Sequence, residues 1–160
     1  MALRTTLSSF LFLFSLLISF AAIATSNQCR YVVRVKTGDR KNAGTDSVIS
    51  LKLSSFGSSF TINNLQNWGV MGPGHDYFER GNLDVFSGNG PCLRVCGITV
   101  TSNGEGNKPG WYLDYVDVTS AGPKVAFPVN QWLALDEWPH HLYANVNLCS
   151  GAKLDSKGKH

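Results

Sequence analysis

The sequence predicts an all-β fold, an antiparallel sandwich or barrel, on three observations. Short runs in which apolar and polar residues alternate recur along almost the whole chain beyond its N-terminus, and a period of two marks a half-buried strand. Clusters rich in Gly, Pro, Ser and Asn separate these runs, as turns between antiparallel neighbours require. No segment after the first two dozen residues shows a convincing 3.6-residue apolar period. Eight or so short strands with Gly/Pro turns belong to the sandwich or barrel class.

Taken in order, Tyr31, Val33 and Val35 alternate with Val32, Arg34 and Lys36 to form the first strand. In the second, Ile49, Leu51 and Leu53 alternate with Ser50, Lys52 and Ser54. Phe60-Thr61-Ile62 is a short third strand, the residues around Leu83 and Val85 a fourth, and Ile98-Thr99-Val100-Thr101 a fifth. The clearest alternation runs over residues 111–118, and it places Trp111 on the inner face. Residues 124–129 and 131–135 follow as two separate runs, the second placing Trp132 inward, and 142–148 closes the domain. Turns are expected at Gly38-Asp39, 54–59, Gly72-Pro73-Gly74, 87–91 and 102–110. With neither repeat nor linker, one domain spans residues 27–149.

The ends read differently. Arg4 supplies a positive n-region, residues 7–23 an apolar stretch, and Ala22-Ile23-Ala24 a small-x-small cleavage site, which together indicate a secretory signal peptide over residues 1–24. A leader ending at Ala24 takes one basic residue with it, leaving 13 basic against 11 acidic side chains. That balance is too weak and too interspersed for a nucleic-acid partner. No later apolar run is long enough to span a bilayer, so no transmembrane segment is expected in the mature chain. Residues 150–160, with Lys153, Lys157 and Lys159 among Gly, Ser and Asp, are expected to form a flexible tail.

Cys29, Cys92, Cys96 and Cys149 all lie beyond the leader, and an even count in an exported chain points to disulfides in an oxidising compartment. Three pairings are possible. Cys92 with Cys96, closing a small loop, and Cys29 with Cys149, tying the first strand to the last, is the pairing expected here. Zinc needs closely spaced ligand pairs at both ends of a site, a spacing these cysteines do not have.

Catalytic motifs are not found. There is no Gly-x-Ser-x-Gly elbow. The glycine-rich run 104–110 has Pro109 where a dinucleotide loop needs its last glycine, and it opens a strand rather than a helix. His140 and His141 are adjacent, so on a strand they would face opposite ways.

The acidic loop mouths carry more. Ca²⁺ takes six to eight oxygens from carboxylates and backbone carbonyls on adaptable loops. Asn42, Ala43, Gly44 and Asp46 offer such groups ahead of the second strand, and Asp76 and Glu79 offer carboxylates from another loop. The alternative is that Asp46 caps a turn through the Thr45 and Ser47 amides while Glu79 pairs with Arg80 or another base. Trp68, Val70 and Met71, in the loop that ends Gly72-Pro73-Gly74, are the candidate membrane or partner contacts.

The order Thr37-Gly38, Ala43-Gly44-Thr45-Asp46, Phe78-Glu79-Arg80-Gly81, Gly110-Trp111-Tyr112-Leu113, Phe127-Pro128 and Trp132-Leu133 resembles the PLAT (lipoxygenase-homology) domain, and does so from Cys29 to Leu148. The four cysteines and the leader resemble its stand-alone plant-stress subfamily. The resemblance implies a sandwich of two four-stranded sheets with no catalytic domain. It implies a targeting module for lipid surfaces or protein partners, sometimes assisted by Ca²⁺, in abiotic stress, secreted or in the endoplasmic reticulum. The C-terminal Lys157-Gly158-Lys159-His160 is not a retention signal. Carried over by position, the implied calcium residues are Asn42, Ala43, Gly44, Asp46, Asp76 and Glu79. The third loop departs from the pattern, with Lys108-Pro109-Gly110 where calcium-binding lipoxygenase domains tend to place an acidic residue. Tryptophans at the tips beside Ala43 and Gly106 are absent too. A purely protein-binding adaptor, without metal or lipid, is the alternative expectation.

Overall fold

A computed structural model of the chain describes residues 28–120 and 122–149. The expected leader (1–24) and tail (150–160) lie outside the described residues. Eight strands form: β1 (Gln28–Thr37), β2 (Ile49–Ser54), β3 (Ser59–Ile62), β4 (Leu83–Pro91), β5 (Gly97–Ser102), β6 (Trp111–Thr119), β7 (Val125–Leu133) and β8 (Tyr143–Asn147). One short 3₁₀ turn, Leu65–Trp68, precedes β4. The strands pair antiparallel in two four-stranded sheets, ordered β4-β1-β6-β7 and β3-β2-β5-β8.

The alternation read from the sequence is the core. Tyr31, Val33 and Val35 from one sheet meet Leu51, Leu53, Ile98 and Val100 from the other, all of them buried. In β6 the inward phase changes part-way: Trp111 and Leu113 face the core, then Val116 and Val118. The register shift around Asp114 absorbs the extra residue, as a β-bulge does. Trp111 is fully buried, and its indole Nε1–H donates to Thr37 Oγ1 at 2.9 Å.

The structure corrects four expectations. Residues 87–91 are not a turn but the end of β4, paired with β1 from Gln28 to Ser87's partner Val32. Their glycines serve close approach instead: a Cβ on Gly88 would lie 2.3 Å from the Trp68 ring, and one on Gly90 2.7 Å from Phe60. Residues 124–129 and 131–135 are not two strands. They form the single edge strand β7, which accommodates Pro128 because its outer side needs no ladder donor, with a register shift between Pro128 and Gln131. Trp132 packs edge-on against Tyr112 on the outer face, where Arg40 covers the Tyr112 ring at 4.0 Å, rather than inward. The disulfides are Cys29 with Cys92 and Cys96 with Cys149. The reason is topological. β1 and β4 are neighbours, so Cys29 sits opposite Gly90 and beside Cys92. Residues 92–96 then cross to the other sheet, where Leu148 N donates to the Cys96 carbonyl at 2.7 Å. Both bonds suit an oxidising, secretory or extracellular setting. Among the described residues, no helix is long and apolar enough to cross a membrane.

Candidate cation site at the acidic pole

Three loops meet at one pole of the sandwich: 38–48 after β1, 76–82 before β4 and 103–110 before β6. The first is pinned by two buried hydroxyl residues, Thr45 and Ser47. Thr45 Oγ1 donates to the Pro109 carbonyl at 3.1 Å and accepts from Ser47 N at 3.1 Å. Ser47 Oγ donates to the Glu105 carbonyl at 2.7 Å. Asp46, held between two inward anchors, is therefore turned out and exposed.

The second loop is built around Phe78, which is fully buried against Phe86 and Trp111. Phe78 adopts φ 64°, the left-handed region that a bulky residue rarely occupies. Hydrogen bonds on both sides hold it there. Its N–H donates to Asp84 Oδ2 at 2.7 Å, and its carbonyl accepts from Thr45 N at 3.2 Å. Asp76 and Glu79 flank this anchor, and Asn82 secures both positions by donating to the Asp76 and Glu79 carbonyls.

Carboxylate oxygens of Asp46, Asp76 and Glu79 consequently converge within 4.8 Å of one another. They line a cleft of about 440 Å³ with Asn42, Gly44, Thr45, Asn107 and Lys108. Gly44 makes room for this: a Cβ there would lie 2.8 Å from Glu79 Oε2. Glu79 does not pair with Arg80, which is instead bound to Asp39 at 2.7 Å. The amides of Thr45 and Ser47 are engaged by Phe78 O and by Thr45 Oγ1 rather than by Asp46. Of the expected ligand set, Asn42, Gly44, Asp46, Asp76 and Glu79 line the cleft. Ala43 does not: it is buried, and its carbonyl accepts from Tyr112 N at 3.0 Å. An all-oxygen set with three carboxylates is the chemistry of a hard divalent cation, and these residues fit one.

The expected contact residues divide. Trp68 is half-buried and folded back against the core, tilted against Tyr31 and Phe60, because the 3₁₀ turn capped by Asn64 aims it there. Val70 and Met71 are exposed, at 53% and 41%. His75 binds Asp84 through Nε2 at 2.6 Å, and among the described residues it makes no hydrogen bond to a serine, threonine or cysteine. The buried parts that sequence reasoning missed are Thr45, Ser47 and Asp84. The last ends the segment Phe78-Glu79-Arg80-Gly81-Asn82-Leu83-Asp84, which was the available signal.

Comparison with known proteins places these features in context. The model of the PLAT/LH2 domain matches residues 31–143. PLAT domain-containing protein 2 of Arabidopsis thaliana is 42% identical over 94% of the chain and 88% of its own length. PLAT domain-containing protein 1 of the same plant is 42% identical over 98% and 91%. Coral 8R-lipoxygenase superposes with a TM-score of 0.61 at 24% identity, over 74% of the chain and 16% of the lipoxygenase. Its crystal structure is described in terms of calcium activation via a C2-like domain. At that identity the likeness speaks for the fold.

Proposed function

The chain belongs to the PLAT/LH2 domain family, and from that premise we propose that it is a non-catalytic docking module whose acidic pole holds Ca²⁺ and engages a lipid surface or protein partner. The observation that carries this reading is the convergence of Asp46, Asp76 and Glu79 within 4.8 Å. Like charges at that range repel, and a bound cation reverses the sign of the interaction. Asp46, Asp76 and Glu79 would hold it, with Asn42 and Asn107 at hand from the cleft wall. The ion would supply charge neutralisation and tie the first loop to the second. The Arabidopsis relatives are stand-alone PLAT proteins of nearly the same length, which supports a module without a catalytic domain. Two disulfides and the N-terminal leader motif support the secretory pathway, in the apoplast or the reticulum lumen. The resemblance to the plant-stress subfamily supports a part in abiotic stress responses.

Calorimetric titration of Ca²⁺ into the purified domain tests the cation site. Saturable binding is expected, weakened at least about tenfold in Asp46→Ala because the ligand charge falls. No binding heat, or equal affinity in the variant, would overturn the assignment. Co-sedimentation with vesicles, with and without Ca²⁺, tests the lipid half.

A second reading, a protein-binding adaptor needing neither ion nor lipid, is favoured by one feature of the opposite pole. There Phe56, 68% exposed, overhangs an apolar cleft of about 400 Å³ walled by Val95, Val118 and Val125. A defined partner retained in chelator and lost in Phe56→Ser would support it.

A further inference from the structure

We propose that Trp138 and Leu135, on the loop between β7 and β8, are the apolar anchor of the acidic pole, inserting into the interface of a bilayer that carries anionic phospholipid. The inference rests on the reading of that pole as a lipid-docking surface.

The loop's position follows from strand register. β7 ends at Leu133, opposite Trp111, the first residue of β6, so residues 134–142 leave the sandwich at the same pole as the carboxylate cluster. The loop packs directly on the third cation loop: a Cβ on Gly110 would stand 3.3 Å from Ala134 Cβ and 3.8 Å from Asp136 Oδ1. Its own hydrogen bonds hold it closed. Ala134 N donates to His141 O at 3.0 Å, His140 N donates to Glu137 O at 2.7 Å, and His140 Nδ1 lies 2.9 Å from Leu135 O. The tip is thus preformed, and insertion needs little further ordering of the chain.

On this tip Trp138 is 77% exposed and Leu135 68%. An indole has an apolar body and one polar N–H, which suits the headgroup level of a bilayer. The first and third loops hold no aromatic residue over 38–48 and 103–110, and Phe78 of the second is buried, which leaves Trp138 as the strongly exposed aromatic side chain among the described residues of this pole. Chemistry for the headgroup lies alongside. A cleft of about 230 Å³ between this loop and the cation loops is lined by Lys41, Asn42, Lys108, Trp132, Asp136 and Glu137. Lys41 and Lys108 also line the carboxylate cleft, so the two are continuous. Neither lysine forms an ion pair among the described residues, which leaves both ammoniums for lipid phosphate. Asp46, Asp76, Glu79, Asp136 and Glu137 outnumber these cations. A divalent ion on the carboxylates offsets part of that excess, so the repulsion of an anionic surface falls when the ion is bound, and anchoring is stronger with the ion than without it.

The test uses vesicles of phosphatidylcholine mixed with phosphatidylserine, in Ca²⁺ or in chelator. Partitioning of Trp138→Ala should fall about tenfold below the unsubstituted chain, the order expected for withdrawing one indole from the interface. A blue shift of tryptophan emission on adding vesicles should be present in the unsubstituted chain and absent in Trp138→Phe, which keeps Trp68, Trp111 and Trp132. Circular dichroism and Ca²⁺ heats unchanged in Trp138→Ala would show that fold and cation site persist. Equal partitioning of Trp138→Ala, or a blue shift that survives in Trp138→Phe, would overturn the anchor and leave the docking reading standing. Equal binding to pure phosphatidylcholine would overturn the anionic requirement. No binding of the unsubstituted chain in either condition would overturn both the anchor and the lipid reading.

Discussion

Asp84 is fully buried, and both its carboxylate oxygens are used, one by Phe78 N–H and the other by His75 Nε2. Its effect reaches the pole because Phe78 holds Asp76 and Glu79 on either side. Asp84→Ala would leave a buried N–H without a partner, and it should lower stability by about 2–3 kcal/mol in urea unfolding. It should also weaken Ca²⁺ binding, although Asp84 does not line the cleft. Loss of stability with unchanged Ca²⁺ affinity would show that the second loop keeps its shape without this anchor. At this scale the sequence was half legible. Asp46, Asp76 and Glu79 could be singled out because loose carboxylates at strand mouths are visible in the chain itself. The roles of Thr45 and Ser47 could not, since their partners Pro109 and Glu105 lie about sixty residues away. The same holds for Trp68, whose packing against the core depends on the absence of a Cβ at Gly88 across the sheet edge.

At the scale of elements, periodicity located every strand and missed how two of them end. A run of Ser, Gly, Asn and Pro at 87–91 has turn composition, yet β1 supplies a partner strand for it, and ladder pairing outweighs local propensity. Pairing also decides the disulfides. Cys92 and Cys96 are near in sequence, but β4 and β5 belong to different sheets, so each cysteine finds a distant partner instead. The two bonds close loops with separations of 63 and 53 residues, each worth at most about 4 kcal/mol on the chain-entropy model. Replacing Cys29 and Cys92 together by serine should therefore lower the unfolding free energy read from urea denaturation by an amount within that bound. Non-reducing peptide mapping should recover Cys29 joined to Cys92, and Cys96 joined to Cys149. A peptide joining Cys92 to Cys96 would refute this pairing.

The whole molecule has two unlike poles. Both disulfides clamp the end where β1 begins and β8 finishes, whereas the three loops of the acidic pole and the loop between β7 and β8 share the other end without a covalent tie. Ion binding can then order the free pole, and any ligand that prefers the folded state stabilises it. Saturation with Ca²⁺ at about 100 times its Kd should add about 2.7 kcal/mol, read as a rise in Tm that Asp46→Ala loses. The sequence by itself determined the all-β class, the inward face of nearly every strand, the family and the carboxylates of the pole, because alternation and short motifs are local properties of a chain. Only the tertiary structure decided the cysteine pairing, the inward turn of Trp68, the outward turn of Trp132, the exclusion of Ala43 and the place of Trp138 beside the cluster. Each of these depends on which strands become neighbours and where their register brings loops together, and that is set by contacts between residues far apart in the chain.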